Sequence, residues 1–316
     1  MWARIHKVFL FIFALKVISA CSPTLQTISE INQKPELHDD KIITKDGFEL
    51  PLKVWKTDDL TPKAVILALH GFNDHANGWD QAATIWAENG LWTYAYDQRG
   101  FGATEQRGLW AGEETYIDDV KTAITLLKEK HPETPIYLAG HSMGGAITLL
   151  TATSEHPPEV DGYVLVAPAV LYREDVPWIQ RVIVEATLAI APGWTPTIHT
   201  DKIASDNREM LIKMFEDPLF IKRSRVDTGY FLFELMMAAG DKAKTLDKRT
   251  LILYGDKEEI VPPYAVERFL KQLPQNSDKS WSLKRYKDGY HMLTRDLNGD
   301  KVSTDIAKYI LENSAL

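Results

Sequence analysis

A serine between two glycines is the strongest chemical signal in the sequence. Residues 140–144 read Gly-His-Ser-Met-Gly, directly after the apolar run 136–139 and before the helix-compatible stretch 146–153. This is the G-x-S-x-G pattern in the strand-to-helix context of a nucleophile elbow. The glycines leave room for a sharp turn that exposes the hydroxyl at the end of the strand. Ser142 is therefore the candidate nucleophile of an acyl-transfer reaction.

A serine nucleophile needs a general base, which is in turn oriented by an acid. In the strand-to-helix arrangement, the chain order is serine, acid, histidine. His291 follows the alternating run 281–286 near the end of the sequence. Of the other eight histidines, six precede Ser142, His156 lies at a predicted helix end and His199 lies in the insertion described below. His291 is therefore the candidate general base.

The acid is expected after the apolar run 251–254, which precedes His291 in the chain. The turn there reads Gly-Asp-Lys-Glu-Glu-Ile-Val-Pro-Pro over residues 255–263 and offers three carboxylates. The candidate acids are Asp256, Glu258 and Glu259. Their positions alone leave the choice among them open.

Five near-continuous apolar runs would position these residues. They cover residues 64–69, 91–96, 136–139, 163–166 and 251–254, with helical patterns between them. Buried runs that alternate with helices are typical of βαβ units. The sequence therefore predicts an α/β fold with a mostly parallel central sheet and helices on both faces.

One long interval, residues 166–251, lacks a buried-strand pattern between its ends. It contains helix-like segments instead, at 178–190, 205–215 and 228–239. The sequence predicts a helical cap insertion here, at about residues 172–246, over the edge of the sheet where ligands bind in open α/β folds. Trp178, Trp194 and the stretch 231–237 would line an acyl channel, touch lipid or pack the cap onto the core.

Together these motifs resemble the α/β-hydrolases of the monoacylglycerol lipase and lysophospholipase-like group, which is also described as the serine aminopeptidase-type hydrolase domain. Members of that group carry G-x-x-D-x-x-V-P at the acid turn, and alignment on the flanking Gly and Val-Pro puts Glu258 at the acid position. The usual residue there is Asp, so Asp256 remains the alternative acid. The resemblance spans most of residues 41–312 and implies the α/β-hydrolase fold.

The resemblance extends to residues 70–73, which read His-Gly-Phe-Asn and match the H-G loop of the group. It implies that the backbone N–H groups of Phe72 and Met143 form the oxyanion hole, where such donors stabilise developing negative charge. Residues 97–104 match the group's D-x-R-G-x-G-x-S segment, with threonine in place of the last serine. We interpret this segment as a structural brace for the H-G loop.

No metal site or cofactor is expected. His70 and His141 belong to no H-E-x-x-H or paired Cys/His pattern, so both are interpreted as supports of their motifs. Residues 296–300, Asp-Leu-Asn-Gly-Asp, imitate the start of a calcium-binding loop but lack its later glycine and glutamate. The chain has 36 Lys+Arg against 44 Asp+Glu without clustered basic residues, which speaks against a nucleic-acid partner.

The first twenty residues, 1–20, are typical of a secretory signal peptide, with basic residues, a short apolar run and small residues before Cys21. Residues 18–21, Ile-Ser-Ala-Cys, resemble a bacterial lipobox, which implies that Cys21 is lipidated after cleavage. The alternative is an ordinary cleaved signal followed by an incidental cysteine, or a buried free thiol. Lipidation predicts a membrane-anchored protein of the bacterial cell envelope, and Ser22 indicates the outer membrane, facing the periplasm. Residues 21–40 are expected to form a tether.

The sequence thus predicts a serine hydrolase that cleaves carboxylic esters of lipids, of monoacylglycerol or lysophospholipid type, through an acyl-enzyme intermediate. An aminopeptidase or amidase of the same fold is the alternative, because the resemblance also covers proline-releasing peptidases. A non-catalytic surface lipoprotein is a third interpretation, although a candidate is present for every catalytic role. The expected partners are a lipid or small ester substrate and a membrane reached through the lipidated N-terminus; no oligomeric state is predicted.

Overall fold

One sheet organises the part of the chain that the computed structural model describes, which comprises residues 22–57, 61–197, 200–275 and 280–314. In chain order, the strands in these ranges are β1 (Glu36–Leu37), β2 (Lys41–Ile43), β3 (Glu49–Trp55), β4 (Ala64–Leu69), β5 (Leu91–Tyr96), β6 (Ile136–His141), β7 (Gly162–Val166), β8 (Thr250–Gly255) and β9 (Trp281–Tyr286). Across the sheet they lie in the order β1-β2-β3-β5-β4-β6-β7-β8-β9. Along this order, the pairs from β1 to β5 are antiparallel and the pairs from β5 to β9 are parallel.

The central parallel strands are apolar along their whole length because they are covered on both faces. Every residue of β4, β6, β7 and β8 is buried, whereas β9 at the edge mixes half-buried with exposed residues. In the parallel register of β4 and β6, Leu69 lies beside Gly140, so both strands end at the same edge. The predicted mostly parallel sheet is confirmed, and the H-G loop and the candidate nucleophile leave that edge side by side.

Helices flank this sheet. In chain order they are α1 (Asp80–Glu88), α2 (Glu113–Lys130), α3 (Met143–Ala152), α4 (Trp178–Ile190), α5 (Arg208–Glu216), α6 (Val226–Lys242), α7 (Pro263–Gln272) and α8 (Gly299–Ser314). α1 packs against α8, and α3 packs against α2 and α6. Among the helices in the described part of the chain, none has the length and apolar character needed to span a bilayer.

Three of these helices, α4 to α6, lie between β7 and β8, in the stretch from residue 167 to residue 249 that we call the insertion. α4 begins and ends at the residues that the sequence predicts, and none of its 13 residues is buried. α6 extends beyond the predicted 228–239 at both ends, and Leu235, Met236 and Ala239 in its second half are buried. α6 is therefore attached to the core, whereas α4 lies at the surface.

The described part of the predicted tether, residues 22–40, contacts the domain at several points. Residues 22–33, which we call the strap, lie along the domain surface. Leu25 forms a parallel bridge with Trp110, whose carbonyl oxygen accepts the N–H of the next strap residue over 2.9 Å. Farther along, β1 pairs with β2. The polar composition is typical of a free linker, but the backbone groups of this segment find partners on the domain.

The predicted signal peptide, residues 1–20, and Cys21 lie outside the described residues. The structure therefore leaves the lipidation of Cys21 as a prediction. The predicted division of the chain into a signal peptide, a tether and a hydrolase domain likewise stays a prediction.

Candidate active site

The nucleophile elbow is the turn between β6 and α3. Ser142 has a φ of 53°, which a residue with a side chain adopts rarely and at an energetic cost. Neighbouring backbone holds it there: its N–H donates to the Val166 carbonyl oxygen, and its own carbonyl oxygen accepts from Ala169, each over 3.0 Å. A Cβ on Gly140 would collide with the carbonyl group of Gly144, so this turn requires glycine there. The strained turn presents the Ser142 hydroxyl at the edge of the sheet.

Ser142, His291 and Glu258 form a hydrogen-bonded chain. The Ser142 hydroxyl donates to Nε2 of His291 over 3.0 Å, and the Nδ1–H of His291 donates to Oε2 of Glu258 over 2.7 Å. His291 and Glu258 are buried, whereas Ser142 is only half-buried. A carboxylate only accepts hydrogen bonds, so it fixes the proton of a neutral His291 on Nδ1 and leaves Nε2 free to take the serine proton. The geometry is that of a nucleophile, a base and an orienting acid.

Glu258 is the candidate acid that reaches His291. Its other oxygen, Oε1, accepts the backbone N–H groups of Ile260 over 2.7 Å and Val261 over 3.0 Å. Burial by itself would raise the pKa of Glu258, but the neighbouring His291 and these hydrogen bonds outweigh it and hold the pKa below its ordinary value. Glu258 is therefore ionised and able to stabilise a positively charged imidazole.

The other two carboxylates of the acid turn have different partners. Asp256 accepts a hydrogen bond from Nε of Arg285 over 2.7 Å at the surface. Glu259 accepts the backbone N–H of Ile203 over 3.0 Å. The fold thus brings Glu258 to the histidine and directs its neighbours away from it.

The H-G loop lies against the elbow. A Cβ placed on Gly71 would come to 3.0 Å from the His141 ring and 3.4 Å from the Ser142 Cβ, so glycine lets the two loops approach each other. Phe72 is the next residue of this loop. Met143 is the first residue of α3, where backbone N–H groups have no acceptor within the helix. One candidate oxyanion donor therefore lies in the H-G loop and the other at the first residue of α3, directly after Ser142.

His70 holds the H-G loop in place. Its Nε2 accepts the backbone N–H of Gln98 over 3.0 Å, so its proton is on Nδ1, which donates to the Gly71 carbonyl oxygen over 2.8 Å. The Gln98 side chain donates back to the His70 carbonyl oxygen over 2.8 Å. Burial lowers the pKa of His70 and keeps its ring neutral. Both ring nitrogens are thus engaged in supporting the loop.

His141 supports the candidate base. Its Nε2–H donates to the carbonyl oxygen of His291 over 3.0 Å. Burial, together with the neighbouring His291, lowers the pKa of His141 to about 3, so its ring is neutral. Within the ranges that the structure describes, no group of three or more His, Cys, Asp or Glu side chains is arranged to hold a metal ion.

The segment 97–104 is built around a buried arginine. Arg99 donates to Asp119 through Nε and to Asp46 through Nη1, each over 2.7 Å. Asp119 belongs to α2 and Asp46 to the turn between β2 and β3, so the arginine joins three parts of the chain. Sequence reasoning missed both partners, because no local pattern connects either aspartate with Arg99.

A cavity of about 260 Å³ lies between α4 and α6, and its lining includes six polar or charged residues, Arg173, Asp175, Gln180, Arg181, Glu185 and Glu234. Its apolar lining includes Leu171, Val176, Val184, Phe233, Met237 and Pro262. Pro262 directly follows Val261, whose N–H donates to Glu258. The cavity therefore adjoins the turn that carries the candidate acid.

These residues lie within a known family domain, because residues 61–298 match the family model described as serine aminopeptidase, S33. The chain belongs to this family. A monoglyceride lipase of Mus musculus is 28% identical over 259 residues, which cover 81% of this chain and 84% of the relative. A monoacylglycerol lipase of Mycolicibacterium smegmatis is 25% identical over 270 residues, which cover 84% of this chain and 94% of the relative.

Solved structures share the fold. The crystal structure of a monoacylglycerol lipase from Paleococcus ferrophilus matches with a TM-score of 0.70 at 23% identity, over 84% of this chain and 99% of that chain. A soluble variant of monoglyceride lipase from Saccharomyces cerevisiae, solved in complex with a substrate analogue, matches with a TM-score of 0.67 at 18% identity, over 92% and 99% of the two chains. The predicted α/β-hydrolase fold and the resemblance to the monoacylglycerol-lipase-like group are confirmed.

Proposed function

We propose that this protein is a serine hydrolase that cleaves carboxylic esters of lipids, of monoacylglycerol or lysophospholipid type. The observation that carries the proposal is the hydrogen-bonded chain from Ser142 through His291 to Glu258, which ends in a half-buried hydroxyl. Membership of the family supports hydrolysis, and the monoglyceride lipase relatives support lipid esters as the substrate class.

The first proposed step transfers an acyl group to Ser142. His291 takes the hydroxyl proton on Nε2 while the serine oxygen attacks the ester carbonyl, which gives a tetrahedral oxyanion. The backbone N–H groups of Phe72 and Met143 hold the oxyanion, and ionised Glu258 stabilises the imidazolium. His291 then gives the proton to the leaving alcohol, which departs and leaves an acyl-enzyme.

Water completes the proposed cycle. His291 removes a proton from the water molecule as the water oxygen attacks the acyl-enzyme, and the same two donors hold the second oxyanion. Return of the proton to Ser142 breaks the acyl bond, releases the carboxylic acid and restores the hydroxyl. Every proton thus passes through the one ring nitrogen that faces the serine.

The cavity between α4 and α6 is the proposed acyl site. Apolar residues such as Leu171, Phe233 and Met237 form part of its lining beside charged ones, and Pro262 connects it with the acid turn. An acyl chain gains about 0.8 kcal/mol for each CH₂ group that leaves water for such a surface. Long-chain esters should therefore be favoured over short ones.

We also propose that acyl chains on Cys21 anchor the protein to a membrane, in the envelope of a bacterial cell and on the periplasmic face of the outer membrane. The lipobox resemblance supports this anchor, and the strap adds a geometric argument. The Thr24 N–H donates to Asp227 over 3.1 Å, and the Asp227 N–H donates to the carbonyl oxygen of Pro192, just beyond the end of α4. Three residues span at most about 11 Å. An anchor at Cys21 would therefore bring the α4 side of the protein close to lipid.

Hydrolysis assays test the proposed activity. Purified full-length protein should release fatty acid from a monoacylglycerol and from a lysophospholipid, and Ser142→Ala should lower kcat/KM by at least about 10⁴-fold. N-terminal prolyl amides test the aminopeptidase alternative that the family description suggests. Turnover of amides without esters would overturn the substrate proposal, and full activity in Ser142→Ala would overturn the mechanism.

Metabolic labelling tests the proposed anchor. A bacterial host fed with labelled palmitate should label the wild-type protein, and Cys21→Ser should abolish both the label and sedimentation with membranes. Cys21 is the single cysteine of the chain, so no other thiol can take its place. Undiminished labelling of Cys21→Ser would contradict the anchor.

A further inference from the structure

The backbone on either side of His291 is held by hydrogen bonds that lie outside the proposed triad. The N–H of Tyr290, one residue before the base, donates to Oδ2 of Asp296 over 2.7 Å. The N–H of Met292, one residue after it, donates to the carbonyl oxygen of Ala204 over 3.0 Å. Ala204 belongs to the insertion, between α4 and α5. The imidazole is therefore carried by a backbone whose position depends partly on the insertion.

Asp296 connects the base to the same part of the insertion a second time. Its other oxygen, Oδ1, accepts the hydroxyl of Ser205 over 2.6 Å. Both side chains are buried, with 2% and 3% of their surface exposed, so water has little access to the bond. A hydrogen bond from a hydroxyl to a carboxylate is stronger when it is short and charge-assisted. Asp296 thus bridges Ser205 and the N–H beside His291.

Further hydrogen bonds join residues 203–207, which we call the latch, to the catalytic loops. The Ile203 N–H donates to Glu259 over 3.0 Å. The Asn207 side chain donates to the Arg295 carbonyl oxygen over 3.0 Å. The Leu297 N–H donates to Asp206 over 2.9 Å. Glu259 directly follows Glu258, and the other two partners lie just after His291. The latch is therefore attached to the loop of the acid and to the loop of the base.

The latch and α4 belong to the same insertion but differ in how they are held. α4 packs against α6, and none of its residues is buried. None of the latch bonds described above involves a residue of α4, whereas displacement of the whole insertion would break the bonds that support His291. The insertion thus divides into an outer helix and a segment that is hydrogen-bonded to the loops of the acid and the base, and within that segment Ser205 is the residue that bonds to Asp296.

We propose that Ser205 and Asp296 are positioning residues of the reaction, through which the insertion holds the His291 backbone where Nε2 reaches Ser142. The inference rests on the proposed triad and extends it to residues that do not touch the reacting atoms. It also gives a role to the sequence Asp-Leu-Asn-Gly-Asp at 296–300, whose first carboxylate binds a hydroxyl and a backbone N–H.

Ser205→Ala in the full-length protein tests the inference. Loss of the hydroxyl lets Asp296 shift and moves the backbone of His291. Because a displacement of about 1 Å at reacting groups can cost about 10²-fold in rate, a smaller shift should lower kcat for a soluble p-nitrophenyl ester about tenfold. KM should stay within about twofold, since substrate contacts are unchanged. The rate at which a fluorophosphonate labels Ser142 should fall by the same factor as kcat.

Two further variants keep the test decisive. Ser205→Thr retains a hydroxyl and should recover at least about a third of the wild-type kcat, because the donor to Asp296 is restored. Asp296→Asn has the shape of the native side chain but exchanges an acceptor for a donor. It should lower kcat in the same way as Ser205→Ala, so it tests the positioning role even if Ser205→Ala does not fold.

Asp206→Ala is the matched control, because it removes the neighbouring latch bond to the Leu297 N–H and leaves the hydrogen bonds of Asp296 to Ser205 and Tyr290 in place. It should keep kcat within about twofold of the wild type, since the support of His291 is intact. Equal losses in Ser205→Ala and Asp206→Ala, or a normal kcat in Ser205→Ala, would overturn the positioning role. An active Ser142→Ala would instead overturn the triad itself, so the two failures are distinguishable.

Discussion

Two helices beside the candidate active site are built in opposite ways. α3 begins directly after Ser142, and all ten of its residues are buried. α4 lines the proposed acyl site, and none of its 13 residues is buried. The two helices therefore have different tasks. The backbone of a strained nucleophile must be held rigidly by its surroundings, whereas a helix that covers a binding cavity exposes its outer face to solvent or to a partner.

The outer face of α4 is apolar, although surface helices usually carry polar residues there. Ile179, Val182, Ile183 and Ala186 follow the spacing of one helical face, and all four are exposed. The opposite face contributes Val184 to the cavity, together with the polar residues Gln180, Arg181 and Glu185. Contiguous exposed apolar residues mark surfaces that contact a partner or lipid. Lipid is the contact that agrees with the proposed anchor at Cys21.

The largest effect is expected at Glu258, the buried acid of the proposed triad. Glu258→Gln keeps the shape of the side chain but removes its charge, so the tautomer of His291 that serves as base is no longer favoured. kcat/KM for a soluble ester should fall by about 10⁴-fold. Asp256→Asn is the matched control, because Asp256 pairs with Arg285 at the surface, and it should stay within about twofold. The reverse ranking of the two variants in steady-state assays would mean that Asp256 is the acid.

A smaller effect is expected from the packing of α3. A Cβ on Gly144 would collide with the carbonyl group of Leu69, so Gly144→Ala should lower the free energy of unfolding by about 3 kcal/mol. Gly229→Ala places a Cβ in open space on α6 and should raise the same quantity by about 0.5–1 kcal/mol. Urea unfolding followed by circular dichroism measures both. Similar values for the two variants would contradict the tight contact between α3 and the sheet.

The smallest effect is expected from a substitution on α4. It should lower the hydrolysis of a substrate in lipid vesicles but not that of a soluble ester. Ile183→Ser should change the free energy of unfolding by less than about 0.5 kcal/mol and leave soluble ester turnover within about twofold. Hydrolysis of a monoacylglycerol in lipid vesicles should fall about fivefold, because the outer face loses apolar contact with lipid.

Ile31→Ser provides the control for this surface. Ile31 is 58% exposed, as Ile183 is, but it lies on the strap beside Gly47. It should change neither soluble nor vesicle turnover. Equal vesicle activity in the two serine variants would argue against contact between α4 and lipid.

The triad illustrates what local sequence can specify. Ser142 and His291 follow from a motif and from chain order, because a nucleophile elbow demands particular residues at adjacent positions. Glu258 requires the family resemblance as well, since the acid turn holds three carboxylates and only the fold decides which of them faces the histidine. α4 is predicted at its observed ends because Pro177 and Pro192 lie on either side of it.

The strap and the latch could not be predicted in this way. Gln26 bonds to Leu109, 83 positions away, and Ser205 bonds to Asp296, 91 positions away. Such pairs produce no periodicity, and a polar segment with prolines has the composition of a linker whether or not its backbone finds partners. Contacts between distant parts of the chain are therefore where the structure adds most to the sequence.

The strap also sets the distance over which an acylated Cys21 would hold the enzyme. Because Thr24 is bonded to Asp227, only residues 22 and 23 remain between the anchor and the domain. An enzyme anchored through so short a segment stays at the membrane surface. It would meet each new substrate molecule by lateral diffusion within the bilayer rather than by diffusion through solution. Its turnover should then follow the mole fraction of ester among the surrounding lipids, and dilution of the substrate with inert phospholipid should slow it even when the total amount of substrate is unchanged.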